Sequence, residues 1–372
     1  MRILQFTYDL RPSGAVSRIC LLAEHASRVE TCIYIWSDQT DFASALKKRL
    51  HYLHLGRCER PAKLNIVLIL KFYLSLFFEL KKICRSARYD YLYINGSMLL
   101  PLLIFIPLLG RRQKFVFHLN DTFVSGSLSR WVGAAVSLSG QKIKLVASSE
   151  ELAKYYGLSD ALILLPPIAP NFIRKSSFTK TVNKNLVFGF MANFTRNKGQ
   201  LALLNALREI DLNLLKVPLE IEFAGSVLQN DQHYFPEVNR CLDELNGSHD
   251  LVTLKVSPIR ADPLKFFRRI DCLVCCSERE GMPTVFLEAL MCGVPILTTR
   301  VSGVEQIMSL LNEYECGDFI TIYETVNDLA SSLISYEFPK QSNEQLSLLR
   351  SELIERCSAK NSSNNLEAFL NG

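Results

Sequence analysis

Three things are missing from this sequence: a disulfide framework, a secretory leader and a credible membrane span. The chain has 372 residues and 11 cysteines, an odd number scattered without a repeated interval. Unpaired thiols in a long chain exclude a secreted disulfide scaffold and point to a reducing, cytoplasmic setting. The opening "MRILQFTYDL" has only a short apolar core before Asp9 and Arg11, so it reads as a buried first strand. Internal repeats and low-complexity tracts are also absent. The strongest span candidate, "LNIVLILKFYLSLFFELKK", carries Lys71, Ser75, Glu79 and Lys82 on one helical stripe. A central lysine would cost ~2.5–3.5 kcal/mol in a spanning helix, which excludes that reading. Two readings of the helix at 64–88 stay open. One is a core helix with its polar stripe in water. The other is a helix lying on an anionic membrane, favoured by Arg57, Arg60, Lys63, Lys81, Lys82, Arg85 and Arg88.

Charge is unevenly spread. Through Pro170 there are 22 Lys+Arg against 12 Asp+Glu, and the remainder carries 20 against 25. A basic first half beside a mildly acidic second half implies that one domain meets an anionic surface or substrate. The basic residues are not interleaved with aromatics in a nucleic-acid module, so an anionic membrane or a phosphate-bearing substrate fits better and no nucleic-acid partner is expected.

Nearly half the residues, 48%, are hydrophobic, and the length favours two domains. Short apolar runs at 2–7, 31–36, 91–95, 114–118, 143–147, 186–191, 219–225, 251–256, 271–276 and 295–299 read as strands. They alternate with helical patterns at about 15–28, 64–87, 124–138, 199–212, 262–269, 284–292 and 304–311. That alternation is the mark of βαβ units and parallel sheets. The stretch 166–185 is rich in Pro, Ser, Thr and Asn and has no apolar period. The expected organisation is an N-terminal Rossmann-like domain at 1–168, a linker at 169–185, a second such domain at 186–340, and C-terminal helices at 341–372 packing back on the first. Ligands of such sheets sit beyond the carboxyl ends of strands, and two such domains point to a ligand cleft between them.

One strand-to-helix junction stands out. Residues 277–299 read "SEREGMPTVFLEALMCGVPILTT", with Glu280 and Glu288 eight positions apart around a Gly-Met-Pro turn. Thr284 is the expected N-cap, which turns the following amides toward an anion. Two carboxylates beside those amides suit a ligand with both an anionic group and hydroxyl donors, and a nucleotide sugar has both. A lone pair of acids near a helix start is more simply a response to the helix dipole, so the surrounding letters decide. Cys272, Cys275 and Cys276 form a C-x-x-C-C inside an apolar strand with no second pair nearby, which argues against a zinc or redox site.

The stretch closely resembles the signature E-G-x-P-x-x-x-x-E-A-x-x-x-G-x-P of the retaining nucleotide-sugar glycosyltransferases of glycosyltransferase family 4. It matches at Glu280, Gly281, Pro283, Glu288, Ala289, Gly293 and Pro295. "DLRPSGAVSRI" resembles the family's glycine-rich loop, with Gly14 kept and Ser13 replacing the usual second glycine. "KFVFHLND" resembles the strand that ends on a histidine facing the donor sugar, here His118. Alone, His118 would be read as a satisfied strand-end histidine. "MANFTRNKG" resembles the phosphate loop; Lys198 and Gly199 match, but the expected Gly-Arg is Ala192-Asn193. Arg196 is a substitute cation for that missing arginine.

The resemblance implies a GT-B fold, an α/β architecture of two doubly wound domains facing across a cleft. It implies retaining transfer of a sugar from a UDP- or GDP-linked donor. Glu280 and His118 would act at the transferred sugar. Gly14, Asn193, Lys198, Gly281, Met282, Pro283, Thr284, Val285 and Glu288 would bind the donor, with Ser257 and Ile259 near the base. No cofactor and no metal are implied, in keeping with the absence of any Asp-x-Asp pair. The acceptor would be a saccharide or lipid-linked saccharide of capsule, O-antigen or exopolysaccharide assembly, met at the inner face of the plasma membrane. An epimerase of the same fold and a non-catalytic scaffold are the alternatives.

Overall fold

The computed structural model describes residues 2–8, 14–25, 29–35, 53–57, 66–86, 89–109, 114–121, 143–175, 185–211, 214–227, 233–247, 251–257 and 263–372. These divide into two units, Met1–Pro167 with Arg356–Gly372, and Ile168–Glu355. The expected helix at 124–138 lies outside the described residues.

The first unit holds a parallel sheet built from β1 (Ile3–Tyr8), β2 (Val29–Ile35), β3 (Leu53–Arg57), β4 (Tyr91–Asn95), β5 (Lys114–Leu119), β6 (Ile143–Ala147) and β7 (Leu162–Ile163), in the order β3-β2-β1-β4-β5-β6-β7. Its strands are apolar on both faces because helices cover both, as parallel sheets require. On one face Leu4, Phe6, Leu92, Ile94, Phe115 and Phe117 pack with α2 (Ile66–Ser86) and a 3₁₀ segment, Ser97–Leu109. On the other, Ile3, Tyr91, Tyr93, Val116 and Val146 meet Leu22 of α1 (Gly14–His25) and Leu366 and Leu370 of the last helix. That last helix is fixed to the sheet by Tyr91 Oη, which donates to Leu370 O at 2.5 Å, and by Lys144, which donates to Phe369 O.

The second unit repeats the plan. Strands β8 (Leu186–Met191), β9 (Leu219–Ala224), β10 (Val252–Ser257), β11 (Cys272–Cys275), β12 (Ile296–Thr298) and β13 (Ile320–Ile322) lie parallel in the order β10-β9-β8-β11-β12-β13. Phe188, Phe190, Leu203, Leu207, Ile221, Phe223 and Leu329 form its core with Tyr234, Val238 and Leu242. In both sheets the strand order reverses once, between β1 and β4 and between β8 and β11. Reversal points of this kind open a crevice at the carboxyl ends of the strands.

The C-terminal helices divide between the units. Helix Asn343–Cys357 belongs to the second unit as far as Glu355, whereas Ala359–Asn371 packs on the first. Ser358 caps the latter, accepting from Asn361 N, so the chain turns where the units change. Among the described residues no helix is long and apolar enough to cross a membrane.

Candidate active site

The reversal between β8 and β11 gathers most of the expected donor-binding residues. Below β8 the chain runs through Ala192 and Asn193 into a 3₁₀ turn, Arg196–Lys198, and then α3 (Gln200–Glu209). Gly199 joins them at φ 75°, and a Cβ there would stand 2.2 Å from the Cys276 carbonyl oxygen. Gly225, after β9, is pressed as closely on the Ala192 carbonyl, 1.8 Å from an added Cβ. Only glycine permits these backbone approaches.

Three polar contacts tie the loop after β8 to the loop after β11. Asn197 Nδ2 donates to Arg279 O at 3.0 Å, and Glu278 N donates to Asn197 O at 2.9 Å. Lys198 Nζ donates to Glu280 Oε1, joining two half-buried side chains into an ion pair. Cation and carboxylate, 82 residues apart in sequence, therefore share one corner.

Helix α4 (Thr284–Met291) leaves that corner. Phe286, Leu287, Ala289, Leu290 and Met291 are buried, and Glu288 faces outward, half-buried. Desolvation pushes the Glu288 carboxyl up to about 8, and no hydrogen bond to it is formed among the described residues. The N-cap is Pro283 with extended ψ of 112°, not Thr284 as expected, because the Met-Pro segment stays extended one residue longer. Proline has no side-chain acceptor, so the first-turn amides of α4 gain no side-chain cap. Helix α5 (Val304–Glu313) likewise starts on an uncapped residue, Gly303 at φ 87°, whose Cβ would meet Met282 Sδ at 2.7 Å. Gly281, Met282 and Pro283 are buried in this turn, while Thr284 and Val285 are half-exposed at the helix mouth.

Of the two phosphate-loop groups singled out, only the Arg196 side chain is paired elsewhere among the described residues. Asn193 is half-buried and its carbonyl accepts from Gln200 Nε2 at 2.9 Å. Arg196 does not stand in for the missing arginine: it pairs with Glu237 at 3.0 Å and lies 5.5 Å over the Tyr234 ring. Its side chain is drawn to Tyr234–Asn246, a helix the sequence reading missed. Ser257 ends β10 half-buried, and Ile259 lies outside the described residues. Cys272, Cys275, Cys276 and Cys292 are buried free thiols, and desolvation raises those of Cys275, Cys276 and Cys292, to about 12 for Cys292. Buried, protonated thiols of this kind are poor nucleophiles.

In the first unit, Gly14 opens α1 and His118 ends β5. His118 has no solvent exposure. Tyr93 Oη lies 2.5 Å from its Nδ1, and Ser148 Oγ and Arg18 Nη1 lie 3.2 and 3.5 Å from its Nε2. Arg18 also donates to Ser148 Oγ at 2.6 Å and to Asn120 Oδ1, while its Nε has no partner. Asn120 Nδ2 donates to Asn95 Oδ1 at 2.8 Å. Desolvation, and then Arg18, hold the imidazole well below its ordinary pKa, and desolvation lowers Arg18 itself to about 10. Arg18 and Tyr93 are functional candidates that sequence reasoning missed. An arginine on the buried face of a helix is the one signal available.

Residues 172–346 match the family model of glycosyl transferases group 1. The match takes in Asn193, Lys198, Glu280 and Glu288, while Gly14 and His118 lie outside it. The chain is 27% identical over 175 residues to a D-inositol 3-phosphate glycosyltransferase of Paenarthrobacter aurescens. That alignment covers 44% of this chain and 41% of the relative. It is 25% identical over 162 residues to the capsular polysaccharide biosynthesis glycosyltransferase CapM of Staphylococcus aureus, covering 42% and 39%. The chain thus spans about two fifths of the length of the curated relatives it matches.

Solved structures extend the fold beyond the group 1 region. Anabaena Alr3699/HepE in complex with UDP superposes over all of both chains with TM-score 0.73 at 18% identity. The same protein with UDP-glucose gives 0.70 at 18% over 100% and 99% of the chains, and apo OtsA gives 0.70 at 12% with the same coverage. Two parallel α/β sheets, matching those of GT-B structures such as HepE and OtsA, are therefore the fold of this chain.

Proposed function

We propose that this protein is a retaining, metal-independent glycosyltransferase that moves a hexosyl group from a UDP- or GDP-linked donor to a saccharide hydroxyl. The observation that carries the reading is the Lys198–Glu280 pair at the reversal point of the second sheet, beside the uncapped start of α4 and one turn from Glu288. Cation, helix amides and two acids suit a ligand that combines a diphosphate with sugar hydroxyls. In the proposed donor complex the α4 amides and Lys198 take the diphosphate. Glu280 accepts from the transferred sugar, and Glu288 accepts from ribose hydroxyls. A role for His118 at the transferred sugar rests on the family resemblance alone.

The acceptor hydroxyl forms its bond to the anomeric carbon on the face from which the diphosphate departs. The C–O bond to the phosphate breaks with its electron pair on the leaving oxygen, and the acceptor's proton passes to that oxygen. Lys198 and preorganised amides stabilise the developing charge, so these steps need no metal.

A lipid-linked acceptor in surface polysaccharide assembly is supported by the CapM similarity and by α2. That helix exposes Val67, Leu68, Leu70 and Phe78 beside exposed Lys71, Lys82 and Arg85, a composition suited to the inner face of an anionic membrane. A non-catalytic scaffold is the second reading, favoured by Asn193 and by the engagement of Arg196 with Glu237.

The test is a panel of UDP- and GDP-sugars, each incubated alone and with saccharide acceptors. Transfer abolished by Glu280→Ala supports the transferase. Epimer formed from donor alone identifies an epimerase. Nucleotide binding with no turnover identifies the scaffold.

A further inference from the structure

The hydrogens around His118 can be counted. Among the described residues Tyr93 Oη has one hydrogen-bond partner, His118 Nδ1 at 2.5 Å, and Tyr93 is wholly buried. Desolvation raises the phenol's pKa, so it keeps its proton. A buried hydroxyl proton without an acceptor costs about 1–3 kcal/mol. The phenol therefore donates, Nδ1 accepts, and the imidazole proton resides on Nε2. Of the two groups facing Nε2, Arg18 Nη1 has donors only, which leaves Ser148 Oγ at 3.2 Å as the acceptor. Ser148 also accepts from Arg18 at 2.6 Å and directs its own proton to Leu119 O or Asn120 Oδ1, at 3.2 and 3.1 Å. Every proton around the ring then has an acceptor. The opposite tautomer strands the Tyr93 proton. An imidazolium does the same and adds a second cation beside Arg18.

We infer that His118 serves as a neutral imidazole protonated at Nε2, with Tyr93 and Arg18 as positioning residues that fix its tautomer and keep it uncharged. What His118 meets in the reaction rests on the transferase reading; its tautomer does not. In the reaction a His118 so held can offer an N–H but carries no proton between substrates. The titratable groups facing the ring are Tyr93 from β4 and Arg18 from α1, with Asp121 beyond β5 acting on Arg18.

Nitrogen-15 NMR of the full chain labelled at histidine reads this directly, with His118→Asn used to assign the signals. The expected signature is an unprotonated Nδ1 and a protonated Nε2, unchanged from about pH 5.5 to 8, the range over which free histidine titrates. Tyr93→Phe should give a mixture of tautomers, and Arg18→Gln should raise the pH at which His118 takes a second proton, with burial, the larger cause, still holding it below the free value. Ser148→Ala, which leaves the Tyr93 bond intact, should keep Nδ1 unprotonated. With an active donor, Tyr93→Phe should lower kcat about tenfold and leave donor KM within about twofold, the split expected of a misaligned group. An Nδ1-protonated or doubly protonated His118 in the unmodified protein overturns the inference. If the signature holds but no donor is turned over, the transferase reading falls and the tautomer stands.

Discussion

Lys198 and Glu280 neutralise one another across the β8–β11 corner, and a donor entering there meets an ion pair, not a free cation. The pair gives the corner both a charge for phosphate and an acceptor for hydroxyls. Removing either side should therefore have different effects. Glu280→Gln should lower kcat at least about a hundredfold while nucleotide affinity changes little, because the role proposed for it is at the transferred sugar. Lys198→Met should weaken nucleotide diphosphate binding by about 10- to 100-fold, from charge-assisted bonds worth ~1.5–3 kcal/mol. Calorimetry with UDP and GDP, beside steady-state rates, separates the two.

Arg196 is the control for that experiment. With its guanidinium on Glu237 and Tyr234, Arg196→Gln should leave nucleotide affinity within about twofold, as for a solvated surface ion pair. A tenfold loss would mean that Arg196 leaves Glu237 for the phosphates.

Glu288 makes stability depend on pH. Its folded pKa of about 8 lies above the model-compound value of 4.5, so between those values the folded protein binds more protons than the unfolded chain. Stability linked to Glu288 is fully present below the lower value and falls as pH rises toward the upper one. Glu288→Gln removes that dependence. Relative to the unmodified protein, the glutamine variant should gain about 1–3 kcal/mol between pH 5 and 9, the full shift being discounted because the carboxyl is only half-buried. Urea unfolding at both pH values checks this, and a difference that shrinks with pH would contradict it.

Gly199 tests the backbone approach. Gly199→Ala places a Cβ 2.2 Å from the Cys276 carbonyl and forces alanine to φ 75°. The left-handed conformation alone costs roughly 1–2 kcal/mol. Since a backbone carbonyl cannot rotate away as a side chain does, the total should reach about 3 kcal/mol or more. A melting temperature lowered by several degrees, with nucleotide binding weakened in parallel, is the expected result.

Much of this corner was legible because its chemistry is local. The Glu280–Pro295 spacing sets a turn, a helix and a strand in one continuous stretch, and β11, α4 and β12 fall where the pattern put them. What escaped depends on distant partners. The edge strands β3, β7 and β13 are short, and their form comes from neighbours in register rather than from their own pattern. The apolar run Ser97–Leu109 has no helical or strand period, and Pro101 and Pro107 favour the tighter 3₁₀ winding it adopts. The His118 cage needs Arg18, Tyr93 and Ser148 brought together over separations of up to 130 residues, which no spacing rule reports.

Helix α2 carries the last prediction. Phe78 is 62% exposed and Val67 55%, and with Lys71, Lys82 and Arg85 they present apolar and cationic groups to solvent together. Tyr73 and Phe77 of this helix are buried in the core, so Phe78 on its outer face has no intramolecular cover among the described residues, and a helix lying on an anionic surface gains from both kinds of exposed group. Near an anionic membrane each Lys or Arg contributes about 1 kcal/mol, so Lys82→Glu should lower partitioning onto phosphatidylserine vesicles more than fivefold. Phe78→Ser should lower it by a similar factor through lost apolar insertion, and without the salt dependence that Lys82→Glu alters. Cosedimentation at low and high salt distinguishes the two. Equal recovery of all three proteins in the supernatant at low salt would remove the membrane from the reading and leave a soluble saccharide as the acceptor.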